Sequence, residues 1–262
     1  MDVGDIIGTS FKIYLKNFWR LFAIVAIGFG IPAMVNFVLI IIVFFSAFLS
    51  GIFTEPTPSN LVAETNGLEP FGLTFLVILG IAVLVSVLFG IFIYPVVYGA
   101  LIYGASLSHF QRPISIGGCY RYAFKRYWRL VGANLLVSLV IFALGITIIG
   151  IPFAVYLAIR WILIHSGIIL EDLSIKGSLH RSTQLVKNNW WRIFGIVILL
   201  ALITFGIDYG IQIIPFLGWL LVLVGITTPL VTTGVLYLYF DLRIRKEGYR
   251  LEDMKSEVMK EA

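Results

Sequence analysis

Long apolar runs without charge dominate the chain. Residues 21–53 and 70–108 carry no charged side chain, and residues 130–170 and 193–240 carry one each. A membrane span needs about 20 apolar residues, whereas a core helix of a water-soluble protein has no need for runs of this length. The pattern therefore predicts an all-α, polytopic membrane protein.

Two of the four runs are long enough for a pair of helices. As single helices they would measure roughly 60–70 Å, about twice the thickness of the hydrocarbon layer. Residues that break helices and favour turns lie near the middle of both runs. They are Gly145, Gly150, Pro152, Gly206, Gly210, Pro215 and Gly218. We therefore predict six spans, at residues 22–52, 71–106, 130–148, 152–170, 192–209 and 215–239. The first two exceed the bilayer, so we expect them to tilt or project beyond it, with kinks at Pro32 and Pro95.

The charges outside these runs give an independent count of the spans. All lysines and arginines except Arg160 lie in four short segments that flank the runs, while the loop at 54–69 has none and carries glutamates. The positive-inside rule places the four basic segments in the cytoplasm, so an even number of spans separates each pair. This predicts six spans, both termini in the cytoplasm, and a location in the cytoplasmic (inner) membrane.

Composition narrows the choice of partners and of sites. Hydrophobic residues make up 60% of the chain and charged residues 13%, against roughly 25% charged in a typical soluble protein. The net charge of +5 lies beside the apolar runs, which favours anionic lipid headgroups over nucleic acid as partners.

Cys119 is the only cysteine, which excludes an internal disulfide and CxxC-type metal sites. The first apolar run is too long for a signal peptide, so we expect it to be retained as a span.

A short element recurs before each helix pair. It opens with a helix-capping residue and has a glycine three positions later, at 5–8 (DIIG), 115–118 (SIGG) and 174–177 (SIKG). It ends in Trp-Arg, at 19–20, 128–129 and 191–192. We therefore predict one membrane domain of three tandem units, each an interfacial helix plus a helical hairpin. The units lie at about 5–108, 115–170 and 174–240, and a tail follows at 241–262.

The helix predicted inside each recurring element is amphipathic. Apolar residues follow helical spacing, and basic residues lie mostly away from the apolar stripe. Such a basic, aromatic helix lies in the membrane interface, where tryptophan is favoured and arginine extends to lipid phosphate. The candidate headgroup contacts are Lys12, Lys16, Trp19, Arg20, Arg121, Lys125, Trp128, Arg129, Lys187, Trp191, Arg192, Arg243 and Arg245.

Four ionisable residues are candidates for an intramembrane polar site. They are Arg160, His165, Glu171 and Asp208. Arg160 lies about 12 Å along its helix from Pro152, near mid-bilayer, where an unpaired charge costs at least about 2.5–3.5 kcal/mol. We expect its guanidinium to face the bundle interior, in a structural or a functional role, with Asp208, Asn134 or a tyrosine as its partner.

The sequence contains no pattern typical of catalysis. For Glu171 and Asp172 we expect ion pairs with Lys176 or Arg181 rather than acid–base chemistry. The three histidines have no metal-binding spacing, and no nucleotide-binding or nucleophile motif occurs. We therefore predict no catalytic residue, no metal and no cofactor.

Three stretches of the second half resemble a known membrane domain. They are Arg160-Trp161 followed by Glu171, residues 178–195 with Arg181-Ser182 and Trp191-Arg192, and residues 239–248. They are similar to the membrane domain attached to some glycerophosphoryl diester phosphodiesterases, which also occurs as stand-alone prokaryotic membrane proteins. The resemblance implies a multi-span domain, but not phosphodiesterase activity, which in the family belongs to a separate soluble barrel. Ser166 stands where the family has a proline, so the fourth span lacks the residue that would kink it.

These features favour a non-enzymatic membrane module, a scaffold or accessory that contacts lipid or a protein partner. One alternative is a small permease or channel with a polar site at Arg160. Another is a membrane-embedded lipid enzyme, which would need Glu171, Asp241 and His180 to converge near the inner face.

Overall fold

The protein is built from helices. The computed structural model describes residues 3–53, 70–214 and 225–248, and no strand occurs within those ranges. The helices are α1 (Val3–Lys16), α2 (Phe18–Phe53), α3 (Pro70–Phe92), α4 (Tyr94–His109), α5 (Ile116–Phe124), α6 (Tyr127–Gly145), α7 (Gly150–Arg160), α8 (Ile164–Leu170), α9 (Ile175–Val186), α10 (Trp190–Ile211) and α11 (Thr228–Glu247). The predicted all-α fold class is confirmed.

Several of these helices are long and apolar enough to cross a membrane. In the described part of the chain there are four such stretches, Phe75–Phe92, Tyr127–Gly145, Gly150–Leu170 and Trp190–Ile211. The number becomes five if α1 and the first part of α2, which meet at 81°, are taken together. Large apolar side chains such as Phe44, Leu84 and Phe205 are exposed on the outside of the bundle. An outer surface of this kind suits hydrocarbon rather than water.

The predicted spans differ in how they are realised. The first corresponds to α2, a helix of 36 residues and about 54 Å that continues through Pro32. The second is divided between α3 and α4 at Ile93, beside the expected kink at Pro95, because proline has no N–H to continue the helix. The sixth span, 215–239, lies partly outside the described residues, and so does the loop at 54–69.

The fourth predicted span is interrupted at residues 161–163, between α7 and α8. One hydroxyl bridges the interruption: Ser182 of α9 donates to the carbonyl of Arg160 at 2.8 Å and accepts from the N–H of Leu163 at 3.3 Å. Ser182 is buried, so it replaces hydrogen bonds that water cannot supply there. The helix therefore breaks without the family's proline, and Ser166 lies inside α8.

Three helices form the buried centre of the bundle. Residues 95–107 of α4 are all buried, as are nearly all of residues 229–243 of α11 and most of α8. Helix α4 packs against both α8 and α11. Helix α10 packs closely on α11 at Gly234, where an added Cβ would lie 2.6 Å from Leu200 Cδ1. The centre of the described bundle is thus a packed helical core.

The three amphipathic helices α1, α5 and α9 each pack on one of the three buried helices. Helix α5 packs on α4, α9 packs on α8, and α1 packs on α11. In terms of the predicted units, α5 and α9 each pack on the last helix of the preceding unit, and α1 packs on the last helix of the third. The predicted N-caps at Ser115 and Ser174 are present, accepting from the N–H groups of Gly118 and Gly177 at 3.3 and 3.2 Å. The predicted cap at Asp5 is wrong, because α1 already includes Val3 and Asp5 lies in its first turn.

We expect Ser182→Ala to destabilise the protein by about 1–3 kcal/mol, because the buried carbonyl of Arg160 and the N–H of Leu163 lose their partner. Thermal unfolding of the detergent-purified protein measures the change. Thr183→Ala, on the same helix, is the matched control and should leave the melting temperature close to wild type. Equal melting temperatures for the two variants would contradict the bridging role of the Ser182 hydroxyl.

Candidate functional site

A group of paired charges lies where α8, α9 and α11 meet, with Arg243 buried and the others partly exposed. Arg181 of α9 donates through Nε to both carboxylate oxygens of Glu171, at 3.0 and 3.1 Å, and through Nη2 to Glu247 at 2.8 Å. The Nε atom of Arg243 lies 3.5 Å from a Glu171 oxygen and 3.6 Å from a Glu247 oxygen. The hydroxyl of Tyr239 donates to Glu171. We call these five residues the inner charge cluster.

Local geometry brings the inner charge cluster together. Tyr239, Arg243 and Glu247 follow at intervals of four residues, so they share one face of α11. The guanidinium carbon of Arg243 lies 5.8 Å from the centre of the Tyr239 ring. Helix α8 ends just before Glu171, and Asp172 has a positive φ of 52°, which turns the chain towards α9. The carboxylate of Glu171 is thereby held between α9 and α11.

Mutual attraction stabilises the charged forms of this cluster. Hydrogen bonds from Arg181 lower the pKa of Glu247 below its ordinary value, although partial burial opposes the shift. Burial alone would lower the pKa of Arg181, but the hydrogen bond to Glu247 and the charge of Glu171 raise it. The side chain of Arg243 is only 5% exposed. The charged forms of Arg181 and Glu247 are therefore stabilised where these residues link α9 to α11.

A second buried carboxylate lies close by on α11. Asp241, whose side chain is 2% exposed, accepts from Arg192 of α10 at 2.9 Å and from Arg245 at 3.0 Å. Arg192 belongs to the third Trp-Arg pair. In the second pair, Arg129 binds the carboxylate of Asp172 at 2.7 Å. Both arginines thus tie the start of a long apolar helix to an acidic residue elsewhere in the bundle.

Arg160 lies away from the bundle interior. Its carbonyl accepts the hydrogen bond from Ser182 on the amphipathic helix α9, and its guanidinium lies 3.4 Å from the hydroxyl of Tyr156. Tyr156 is itself 43% exposed. The guanidinium therefore contacts a tyrosine of its own helix, while the expected partners Asp208 and Asn134 bond to Thr227 and to the carbonyl of Gly90. The depth of Arg160 in the bilayer stays a prediction.

The other intramembrane candidates also remain apart. His165 packs edge-on against Tyr98 of α4, with ring centres 5.3 Å apart, and its Nε2 is buried without a hydrogen-bond partner. Asp208 of α10 accepts from the hydroxyl of Thr227 at 3.1 Å, while its other oxygen is buried without a partner. Glu171 lies in the inner charge cluster, where the expected pair with Arg181 is present. The four candidates do not form one polar site.

Most candidate headgroup contacts lie on the surface. The exposed ones are Lys12, Lys16, Trp19, Arg20, Arg121, Lys125, Trp128, Lys187, Trp191 and Arg245. Arg243 is the clear exception, because its position on α11 turns it into the inner charge cluster rather than towards lipid. Arg129 and Arg192 are partly buried and engaged with Asp172 and Asp241. These three arginines are thus engaged with carboxylates of the protein, and a headgroup contact stays a prediction for the exposed residues.

Sequence reasoning missed several members of these networks. Tyr239 and Glu247 were detectable from their four-residue spacing around Arg243. Arg126, which is 5% exposed and stacks 4.1 Å from the centre of the Tyr122 ring, gave no local signal. It pairs with Asp172, a residue 46 positions away. Long-range pairs of this kind depend on the tertiary arrangement of α5 and α8.

The arrangement favours structural ion pairing over catalysis or metal binding. Glu171 and Asp241 each accept hydrogen bonds from arginine, so both carboxylates are engaged in ion pairs. His180 contacts Gln184 at 2.8 Å on the exposed side of α9. Within the described ranges, no three His, Cys, Asp or Glu residues lie close enough to hold a metal ion.

We expect Glu171→Gln to destabilise the protein by about 3 kcal/mol, because the buried Arg243 and the partly buried Arg181 then share the single carboxylate of Glu247. Chemical or thermal unfolding in detergent measures the loss. Lys176→Gln, an exposed change five residues before Arg181 on α9, serves as the control and should be neutral. A Glu171→Gln variant as stable as the control would show that the cluster does not hold these helices.

Comparison with known proteins gives one match. Residues 134–240 match the family model described as the membrane domain of glycerophosphoryl diester phosphodiesterase. No curated protein and no solved structure matches the chain. Within the matched range lie Glu171, Arg181, Arg192 and Tyr239, and the remaining cluster residues follow directly after it. Residues 134–240 are thus similar to the membrane domain of glycerophosphoryl diester phosphodiesterase, which supports the resemblance seen in the sequence.

Proposed function

We propose that this protein is a non-enzymatic membrane module that binds the anionic inner face of the membrane. Its helices then form a rigid platform on which a protein partner could assemble. The observation that carries the proposal is a set of three equivalent tryptophans. Trp19, Trp128 and Trp191 are 77%, 78% and 78% exposed, and each stands at the start of a long apolar helix, directly after an amphipathic one. Tryptophan is favoured at headgroup depth, which explains why three large aromatic rings are left uncovered.

The basic residues near these tryptophans support the same proposal. Lys12 and Lys16 on α1, Arg121 on α5, and Lys125 and Lys187 just after α5 and α9 are all exposed. Each lysine or arginine near an anionic surface contributes about 1 kcal/mol of attraction. Tryptophan at headgroup depth and exposed cations beside it form the combination expected of an interfacial helix.

The ion pairs argue against the enzymatic alternative. A membrane-embedded lipid enzyme would need an acid and a base that can exchange protons with a substrate. Glu171 and Asp241 are instead held by arginines, and His180 lies on the exposed side of α9. The permease alternative depended on an interior Arg160, whose guanidinium contacts the exposed Tyr156. A non-enzymatic module is therefore better supported than either the lipid enzyme or the permease.

The proposal includes the architecture predicted from the sequence: six spans, three tandem units, and both termini in the cytoplasm of a cell with an inner membrane. The closed packing of α1 on α11, α5 on α4 and α9 on α8 supports three related units. The 81° bend between α1 and α2 supports an interfacial α1 beside a spanning α2. A protein partner would then meet the cytoplasmic side of this platform.

Neutralising exposed cations should weaken the preference for anionic lipid. We expect the triple variant Lys12→Gln, Lys16→Gln and Lys187→Gln to lose a severalfold preference for phosphatidylglycerol over phosphatidylcholine, because about 1 kcal/mol of attraction is removed per lysine. Association of spin-labelled lipids with the reconstituted protein measures the preference.

The matched control replaces the same three lysines by arginine and should keep the wild-type preference. High salt should reduce the preference of the wild type, since exposed charges are screened. An unchanged preference in the glutamine variant would refute lipid binding through these helices.

The proposed orientation has its own test. In a Cys119→Ala background, we expect Ser59→Cys to react with a membrane-impermeant maleimide in intact cells, because the loop at 54–69 lacks basic residues and lies outside. Lys187→Cys should react only after the cells are made permeable. Labelling of both cysteines from the same side would overturn the six-span arrangement.

A further inference from the structure

A cleft opens between α4 and α5 on the side of the basic segments. Its volume is about 590 Å³, which is large enough for a lipid headgroup rather than a single water or small ion. Its lining includes the side chains of Tyr103, Leu107, Arg112, Arg121, Tyr122 and Lys125. The cleft thus combines an apolar, aromatic wall with a cationic rim.

The wall of the cleft is held in place before any ligand arrives. The rings of Tyr103 and Tyr122 are stacked with centres 3.9 Å apart and planes at 8°. The guanidinium of Arg126 lies 4.1 Å from the centre of the Tyr122 ring, and the Tyr122 hydroxyl donates to the carbonyl of Ile169 at 3.1 Å. A site that is already ordered loses less conformational entropy on binding, which favours affinity.

The charge of the cleft has one sign. Arg112, Arg121 and Lys125 contribute three cations, and the described residues lining the cleft include no acidic side chain. Ser115, the N-cap of α5, also lines it, so the positive end of that helix adds to the same field. Arginine and lysine together favour a phosphate group, which arginine can bind through two hydrogen bonds.

The neighbouring side chains place the cleft at headgroup depth. Phe124, at the end of α5, is 55% exposed, and Trp128 follows one turn later on α6. Both are adjacent in sequence to Lys125 and are suited to the membrane interface. A phosphate reaching this cleft with an apolar tail attached could leave the tail in the bilayer. The geometry therefore favours a phospholipid over a free phosphate ion.

We propose that the cleft between α4 and α5 is a specific site for the phosphate headgroup of an anionic glycerophospholipid. Arg121 and Lys125 bind the phosphate, and Tyr103 and Leu107 contact the less polar part of the headgroup. The inference deepens the proposed lipid-binding function, because it names one discrete, saturable site among otherwise diffuse surface contacts.

The test titrates the detergent-purified full chain with dihexanoyl phosphatidylglycerol, dihexanoyl phosphatidylcholine and inorganic phosphate in separate calorimetric experiments. We expect saturable binding of one phosphatidylglycerol per chain, at least about tenfold tighter than either other probe. The double variant Arg121→Gln and Lys125→Gln should lose this binding by about tenfold or more, since charge-assisted hydrogen bonds disappear. The charge-preserving pair Arg121→Lys and Lys125→Arg should retain most of it.

Lys176→Gln is the matched control, because this lysine is exposed on α9 and does not line the cleft. The control should bind the soluble lipid as the wild type does, and all variants should keep the wild-type melting temperature. Binding of inorganic phosphate as tight as that of the lipid would overturn the lipid assignment. An equal loss in the Lys176→Gln control, or no saturable binding to the wild type, would overturn the discrete site. These outcomes concern only the cleft, and the spin-label experiment tests the proposed lipid-binding function independently.

Discussion

A carboxylate taken out of water needs cations close by, and Glu171 obtains them from two different helices. Arg181 reaches it from α9, and Arg243 reaches it from α11, with Glu247 completing the group. Because these charges are partly withdrawn from water and Arg243 is buried, the loss of any one would leave the others poorly compensated. The end of α8, the amphipathic α9 and the last described helix are therefore fixed relative to one another. The position of the third tryptophan depends on this arrangement through Arg192 and Asp241.

Much of the membrane character was readable from the sequence, because it depends on the composition of continuous segments. The caps at Ser115 and Ser174 were equally local, since each needs only its own next turn. The break after Arg160 was not readable, because its stabilising hydroxyl, Ser182, comes from another helix. Errors in this chain arise where a side chain from a distant segment completes the backbone hydrogen bonds.

The candidate site was only half predictable for a related reason. Glu171 with Arg181 followed from closeness in sequence, and the face shared by Tyr239, Arg243 and Glu247 follows from helical spacing. No pattern along the chain showed that these two groups meet, or that Arg126 would reach Asp172. The arginines that were predicted to contact lipid therefore differ in exposure in the structure. One set is exposed beside the tryptophans, and the other holds helices together inside the protein.

The packing of α1 on α11 has a consequence for how the chain is made. The ribosome produces α1 first and α11 more than 200 residues later, so the surface that α1 covers does not exist while most of the protein is being synthesised. Until then α1 can contact only helices made before α11, such as α2 and α4. The contact between α1 and α11 therefore forms only after the intervening helices have been synthesised.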